Sequence, residues 1–512
     1  MVCLTNKDFE NLNDREFDML LEDIIEAPSA SDMPQDINPW RKAMNRVLWG
    51  TGLTTLTLNF LKLDTILPAI GLVLLILGYR TLRNENGWFK AAYIISAVRA
   101  VWFCISTFFQ STVLMEESGV ATFLAAGTYI WLIPAFISLL ALRNGIRAVQ
   151  KKADLPAHGG TGLLIWYVVI MLLAFINFEG FAVWILLIAY VFILRGLYKL
   201  SKELTEAGYT VSTSSVKVSD KAVAITFVSI LLVVVAAGYL FFNHYPMQWT
   251  PTETTRTEQA KDVAEDLIGL GFPETVLQDM TDEEILACEG AAFVLVHKRD
   301  YDMEQNRGIG TQEEINGGKI ALITPDQAEA HLRFTFIGVK FSDEREHWKL
   351  IHHFEWLTDT DFCGTEAIQM WPSDRSGGWS RSTDVTGRLL YEKDGTTHIS
   401  DYHSLGEISY QKTGILADML GQYDNHDVFA TFSLPNEGSK QRGYLMYDLL
   451  EMQDGYIVDS WFNYIHQRDQ FQFPVKTAME FEMTSTFGNR SPFQVIQSAL
   501  QFTTHGEIPE VF

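Results

Sequence analysis

Cysteine is scarce in this chain, and its spacing excludes zinc ribbons and disulfide scaffolds. Only four cysteines occur in 512 residues, and no two of them have the Cys-x-x-Cys spacing that zinc sites use. Cys288 and Cys363 are the pair that share the second half of the sequence. One disulfide bond between them and two free thiols are both compatible with the sequence.

Motifs for catalysis and for cofactors are also missing. The chain has no Gly-x-Ser-x-Gly, no His-Glu-x-x-His and no glycine-rich phosphate loop. The acidic runs at residues 300–304 and 359–361 lack the glycine and the glutamate of a calcium loop. His347 and His353 would stand about 20 Å apart along a strand, too far to chelate one ion, whereas His352 shares the apolar face. We therefore expect no metal and no cofactor, and a binding protein is favoured over an enzyme.

Long hydrophobic runs are confined to the first 242 residues. Several are long enough to cross about 30 Å of hydrocarbon as helices. The N-terminus before them is acidic and polar, so no cleavable signal peptide is expected. Two pairs, the first with the second and the fifth with the sixth, form short hairpins that either span or re-enter. The sequence predicts a membrane α-helical bundle of about seven transmembrane helices, at residues 45–61, 64–79, 88–115, 120–142, 162–178, 180–194 and 222–242.

The distribution of lysine and arginine predicts the orientation, because cationic connections stay on the cytoplasmic side. The even-numbered connections are basic, and the odd-numbered ones hold Lys62 as their only cation. We expect a cell-membrane protein with a cytoplasmic N-terminus and an extracytoplasmic C-terminal half. Each short hairpin contributes an even number of crossings, so this orientation does not depend on whether it spans. The basic residues are Arg80, Arg83, Lys90, Arg143, Arg147, Lys151, Lys152, Arg195, Lys199, Lys202, Lys217 and Lys221.

All of the net charge lies in the second half. Residues 251–512 contain 20 Lys plus Arg against 44 Asp plus Glu, a net charge of −24, while residues 1–250 contain 19 of each. This excess of negative charge disfavours nucleic acid as a partner. It is compatible with cation binding, but solubility of an exported domain is the favoured explanation.

Strand patterns dominate after residue 291 and predict an extracytoplasmic α+β domain that is mostly antiparallel β. Asp394-Gly395 and Asp454-Gly455 each separate two alternating runs, which is typical of hairpins. Residues 491–502 are expected to close the domain as a helix. The predicted organisation is an acidic amphipathic helix and linker at 1–38, a six-helix bundle at 39–205, a cytoplasmic linker at 206–221, a seventh span at 222–242, a helical neck at 256–290 and the β-rich domain at 291–512.

The N-terminal tail carries an amphipathic helix over residues 14–26, whose other face is acidic. An acidic face is unsuited to an anionic membrane surface. The apolar stripe therefore docks either on a basic cytosolic protein or on the chain's own bundle. The stripe consists of Phe17, Leu20, Leu21, Ile24 and Ile25.

Arg99 is the one cation well inside an apolar segment. An intramembrane charge indicates a functional site by default, here the recognition of an anion or a lipid headgroup. The alternative is that Arg99 extends toward the cytoplasmic interface from a long, tilted helix.

The stretch at residues 356–381 is the best candidate for an external ligand site. It reads as a long loop with aromatic residues beside Asp and Arg, a combination that suits a sugar or a peptide. The alternative is that its aromatic rings belong to the core. The candidate ligand-binding residues are Trp371, Asp374, Arg375, Trp379 and Arg381.

Three stretches carry a resemblance: INPWRKAMNRVLWG, WLTDTDFCGTEAIQMWP and DSWFNYIHQRDQFQFPV. With the hydrophobic block after the first, they resemble a group of uncharacterised multi-pass membrane proteins of anaerobic Gram-positive bacteria. The similarity covers most of the chain, but it implies no activity and assigns no functional residues. The leading hypothesis is a multi-pass membrane sensor or a binding protein for a ligand or partner. A transporter component and an extracytoplasmic hydrolase without a recognisable motif are the alternatives.

Overall fold

A computed structural model describes most of the chain beyond its N-terminal tail. The predicted N-terminal helix, with Phe17, Leu20, Leu21, Ile24 and Ile25, lies outside the described residues. The chain divides into two compact units, the first from Met1–Thr107 and Glu117–Val235 and the second from Phe108–Glu116 and Ala236–Phe512. The described residues are 38–55, 63–116, 118–175, 182–211, 218–252, 255–303, 307–309, 330–342, 345–358, 362–376, 378–411, 424–468, 472–484 and 492–503.

Long helices account for the described residues up to Phe242. Five of them, α2, α3, α4, α6 and α7 in the list below, are long and apolar enough to cross a membrane. The other two are shorter, with 17 residues in α1 and 15 in α5. The chain is thus a membrane protein with several spans, and the predicted count of about seven is not confirmed. The helices are α1 Pro39–Thr55, α2 Leu63–Leu82, α3 Gly87–Phe109, α4 Ser118–Lys152, α5 Thr161–Phe175, α6 Ala182–Glu206 and α7 Asp220–Phe242.

Polar contacts at one end of the first unit show which helix termini meet. Arg46 near the start of α1 pairs with Asp220 at the start of α7 at 2.6 Å, and Arg80 at the end of α2 lies 3.7 Å from the same carboxylate. Glu85, between α2 and α3, accepts hydrogen bonds from Lys152 at 3.1 Å and from Tyr209 at 2.6 Å. The ends of α2, α4 and α6 therefore lie beside the starts of α1, α3 and α7.

Small residues let α1 and α2 approach closely. A Cβ atom on Gly71 would lie 2.9 Å from the carbonyl oxygen of Gly50, and one on Gly78 would lie 2.8 Å from that of Ala43. These distances are too short for a side chain, so glycine permits backbone-to-backbone contact, as at other membrane helix interfaces. Helices α1 and α2 make the most extensive helix–helix contact of the described bundle.

The second unit is a β-sandwich of two antiparallel sheets. The first sheet has the order β1-β9-β8-β12-β5-β4-β2-β3, with β7 also paired to β12, and the second has the order β10-β11-β6-β13-β14. The strands are β1 Thr250–Pro251, β2 Ala291–Asp302, β3 Arg307–Ile309, β4 Leu332–Phe341, β5 His347–Trp356, β6 Glu366–Trp371, β7 Trp379–Arg381, β8 Thr386–Lys393, β9 Thr396–Ser400, β10 Ser404–Gln411, β11 Asp424–Phe432, β12 Ser439–Glu451, β13 Val458–Gln467 and β14 Phe493–Phe502.

The first sheet is covered on both faces, which explains its run of buried residues. Trp348, Leu350 and Phe354 on β5 point into the core between the sheets. Ile351 points to the other face, which three short helices cover, namely α8 Glu258–Gly269, α9 Glu274–Asp279 and α10 Asp282–Leu286. We call these three helices the neck. Part of the second sheet is covered by α11 Ala478–Thr484.

The connection between α3 and α4 belongs to the second unit. The predicted third segment was one helix to residue 115, but α3 ends at Phe109, and a 3₁₀ turn at Val113–Glu116 follows. Val475 donates a backbone hydrogen bond to Gln110 O at 2.7 Å. Val113 and Val475 share a small apolar cluster with Tyr245. Residues 108–116 are thus packed against the β-rich domain.

Two predictions about the sheets need correction. Asp394-Gly395 joins β8 to β9 as a hairpin, as predicted. Asp454-Gly455 does not form a hairpin, because it joins β12 in the first sheet to β13 in the second, and both of those runs are buried between neighbours. Residues 491–502 were predicted as a helix but contain β14, whose Ile496, Leu500 and Phe502 fill the core.

Candidate functional site

A cleft of about 480 Å³ opens beside the chain that follows α7. One wall is the segment from Pro246 to Thr250, and the other is the turn from β9 into β10, residues 399–403. Thr250 pairs with Ile399 in the first sheet, so the segment is itself an edge of that sheet. We call residues 243–251 the juxtamembrane segment. The volume is in the range that small-ligand sites have.

Arg388 supplies a cation to this cleft. It lies on β8 opposite Tyr444 of β12 and therefore on the face of the first sheet that the neck covers. Its Nε atom is buried without a hydrogen-bond partner, and no ion pair joins Arg388 to a carboxylate in the described part of the chain. The Arg388 side chain nevertheless lines the cleft, so the remaining N–H donors of its guanidinium group are suited to an acceptor brought by a ligand.

The cleft also contains polar side chains, and one of its residues, His403, packs on a buried ring. Asp401 is exposed at the rim. The ring of His403 stacks on that of Tyr245 with centroids 4.6 Å apart. Tyr245 is 2% exposed and donates its backbone N–H to Ser433 Oγ at 2.8 Å. The juxtamembrane segment is thus held to the β-rich domain just where the cleft begins.

The stretch at 356–381 is not the long loop that the sequence predicts. Its middle is β6, a central strand of the second sheet. The sequence hides this strand because Glu366 and Gln369 are polar, yet both are buried and paired. Glu366 is hydrogen-bonded to His466 at 2.7 Å. Burial raises the pKa of Glu366, and the nearby histidine partly opposes this shift.

The two predicted tryptophans lie on different sheets. Trp371 ends β6 and faces Trp461 across the strand pair, with ring centroids 6.3 Å apart. Trp379 on β7 is 4% exposed, packs in the core between the sheets and donates to Ile457 O at 3.1 Å. Trp379 therefore occupies the core, the alternative that the sequence left open.

The predicted charged residues of this stretch are also dispersed. Arg381 pairs with Glu407. Asp374 and Arg375 lie on a 3₁₀ turn at Ser373–Ser376, with Asp374 half-buried. None of these residues lines the cleft. The sequence missed the cleft because its residues come from positions as far apart as Pro246 and Arg388, with no shared motif.

A buried polar network on the second sheet was also missed. Gln369 donates to the Tyr410 hydroxyl at 2.9 Å and accepts from Asn463 at 2.8 Å. The Tyr410 hydroxyl donates to Asp427 at 2.6 Å, and Gln369 donates to the same carboxylate. These four residues are at most 8% exposed, so the network fastens β10, β11, β6 and β13 together.

The neck is joined to the first sheet by a buried charged cluster. Asp279 at the end of α9 accepts from Arg442 Nε at 2.8 Å and lies 3.0 Å from His353 Nε2. Tyr444 donates to Glu284 of α10 at 2.6 Å. The second face of β5, which carries His353 and Lys349, is thus buried under the neck.

Histidines and cysteines of the described residues form no metal centre. His352 is fully buried beside Ser460, at 3.0 Å, and burial lowers its pKa to about 3. No disulfide bond joins Cys288 to Cys363, which decides the alternative left open by the sequence. Cys288 contacts Glu284 O and Cys363 contacts Pro435 O.

No protein-family model matches the chain, and no curated protein matches it. The fold and the described residues alone define its class: a membrane protein with several apolar spanning helices and a C-terminal domain of mostly antiparallel sheet.

Proposed function

We propose that this protein is a cell-membrane sensor, or a binding protein, that takes up a ligand with a carboxylate group in the cleft at Arg388. A sugar acid or a short peptide fits the size and polarity of the cleft. One observation carries the proposal. The wall of the cleft is the juxtamembrane segment, which continues directly from α7.

A ligand held there would contact the first residues that follow the last spanning helix. Binding therefore changes the restraint on the chain that leaves the membrane, which a remote site on the β-rich domain would not do. A ligand shifts an equilibrium only through contacts that differ between two states, and the juxtamembrane segment offers such contacts.

The proposed orientation places the N-terminus in the cytoplasm and the β-rich domain outside. The basic connections support this orientation. The contact between residues 108–116 and the β-rich domain places the end of α3 and the end of α7 on one side, as this orientation requires, but it does not distinguish the outside from the cytoplasm. A tag after Phe512 should be cleaved by external protease in intact cells, and cleavage only after lysis would contradict the orientation.

The binding site is tested on the full-length protein in lipid nanodiscs. Its melting temperature is measured against panels of sugar acids, neutral sugars, amino acids and short peptides. We expect stabilisation by carboxylate-bearing compounds, by RT ln(1 + [L]/Kd), and loss of that response in Arg388→Gln.

Arg381→Gln is the matched control, because Arg381 belongs to the stretch that the sequence favoured and lies outside the cleft. Its response should equal that of the unmodified protein. A ligand whose effect survives in R388Q but disappears in R381Q would move the site to the stretch at 356–381. No response to any carboxylate-bearing compound would contradict the proposal.

A further inference from the structure

Arg99 lies near the middle of a spanning helix. At 1.5 Å per residue it is about 18 Å from Gly87 and about 15 Å from Phe109, the two ends of α3. A cation at such depth is costly unless polar groups or an anion compensate it. Its surroundings therefore decide what it does.

The burial pattern of α3 directs Arg99 into the bundle. Ile94, Val98 and Val101 form an exposed apolar stripe, with 61% of Val101 accessible. Ser96 and Ala92, one and two turns before Arg99, are both fully buried. Residues with these spacings share a helix face. Arg99 thus belongs to the inward face, which argues against a side chain that extends through lipid to the interface.

Two tyrosines on other helices lie close enough to Arg99 to interact with its charge. Tyr79 of α2 and Tyr167 of α5 both interact with it electrostatically. Tyr79 is 1% exposed and hydrogen-bonded to Ser138 of α4. Tyr167 donates to Leu132 O at 3.0 Å. These groups are polar but neutral, so they do not balance the charge of the guanidinium.

Two carboxylates of the described bundle, Asp220 and Glu85, are engaged elsewhere. Asp220 is held by Arg46 and Arg80, and Glu85 by Lys152. Both lie at the end of the helices rather than at the depth of Arg99. Within the described residues no acidic side chain pairs with Arg99.

We propose that Arg99, together with Tyr79 and Tyr167, forms an anion-binding site inside the membrane bundle, for a phosphate or carboxylate group. The guanidinium plane presents paired N–H donors that match either group, while the Tyr167 hydroxyl, whose one proton goes to Leu132 O, lines the site without donating to the anion. An acidic lipid headgroup and a free anion share this chemistry. The proposal does not depend on the cleft at Arg388.

The test uses the full-length protein in phosphatidylcholine nanodiscs, with two probes. Phosphatidylglycerol is added to the bilayer in one arm, and bound lipid is counted by native mass spectrometry. Inorganic phosphate is titrated in the other arm, and the melting temperature is followed. Arg99→Gln is compared with Arg83→Gln, whose arginine lies over the Tyr93 ring at 5.5 Å between α2 and α3.

We expect one probe to bind the unmodified protein and R83Q alike, and R99Q to bind it at least tenfold more weakly, as loss of a charged hydrogen-bonding partner implies. Retention of lipid identifies a headgroup site, and a response to phosphate identifies a site for free anions. Binding of neither probe, or equal binding in R99Q, would overturn the proposal. Should R99Q not fold, Arg99→Lys replaces it, because lysine keeps the charge but loses the paired N–H donors. Weaker binding in R99K supports the site, and unchanged binding overturns it.

Discussion

Two arginines on the same face of the first sheet have opposite surroundings. Arg442 on β12 lies under the neck and gives its Nε to both carboxylate oxygens of Asp279, at 2.8 and 2.9 Å. Arg388 on β8 lies at the cleft, and its buried Nε has no partner among the described residues. The neck thus completes one end of this face, while the other end is left polar and open.

This difference separates an arginine that stabilises the fold from one that is available to a ligand. A buried ion pair with both partners present holds two elements in register, and removal of one partner leaves an uncompensated charge. An arginine without a carboxylate contributes little to stability, but it can bind one that arrives with a ligand. The same contrast holds in the bundle between the paired Arg46 and the unpaired Arg99.

The largest expected effect is a loss of stability when Arg442, the arginine under the neck, is replaced. Arg442→Gln leaves Asp279 buried beside His353 and should destabilise the β-rich domain by about 3–5 kcal/mol, roughly 10 °C in melting temperature for a domain of this size. Arg388→Gln should change stability by at most about 0.5 kcal/mol. Thermal unfolding of both full-length variants in nanodiscs measures the difference, and equal losses would abolish the contrast.

An intermediate effect is expected from pH, because the core of the sandwich holds neutral histidines. Burial lowers the pKa of His352 to about 3 and that of His297 to about 4, against about 6.5 in the unfolded chain. As the pH falls from 6.5 toward 4, the unfolded state takes up protons that the folded state refuses. Each histidine then costs about 1.4 kcal/mol per pH unit.

Unfolding midpoints of the full-length protein between pH 7.5 and 4.5 check this expectation. His352→Gln should be less stable at pH 7.5 but should show a shallower loss toward low pH. Leu350→Ala, which removes side-chain volume from the same core without removing a titratable group, serves as the control and should keep the original slope. An unchanged slope in H352Q would contradict a neutral, buried His352.

The smallest effect compares the thiols. Cys288 is 1% exposed under the neck, and burial raises its pKa to about 12, whereas Cys363 is half-buried. A maleimide reagent should modify Cys363 and spare Cys288 in the native protein, since the thiolate reacts and must be reached. Mass spectrometry of labelled peptides reads the result. Faster labelling of Cys288 would show that the neck opens readily.

The sequence predicted those parts of the fold whose signals are local. Apolar runs gave the helices, and Asp394-Gly395 gave a hairpin, because a turn residue with positive φ is a short-range requirement. Asp454-Gly455 was wrongly predicted to form a hairpin, because a turn signal does not show which sheet the next strand joins. Residues 491–502 misled because the polar Gln494 and Ser498 occupy buried, inward positions of the strand, which breaks the alternation of apolar and polar residues.

The candidate sites also differ in how local their sequence signals are. Arg99 stood out from its sequence because one charge in an apolar run is a local signal, whereas Tyr79 and Tyr167 become its neighbours only through helix packing. No pattern in the sequence pointed to Arg388. Its role depends on the juxtamembrane segment, which is distant in sequence, and on the lack of a carboxylate partner among the described residues. Trp379 was a strong candidate in the sequence, but it lies in the core between the sheets. The stripe of the N-terminal helix, with Leu21 and Ile25, stays a prediction.

Hydrogen exchange at the juxtamembrane segment tests the central claim most directly. The full-length protein in nanodiscs is exchanged with and without the carboxylate-bearing compound that raises its melting temperature most, and the same is done for Arg388→Gln. We expect residues 243–251 to exchange more slowly with the compound in the unmodified protein and to show no change in R388Q. Unchanged exchange at these residues, or equal protection in both proteins, would contradict a sensor that reads its ligand beside the last spanning helix.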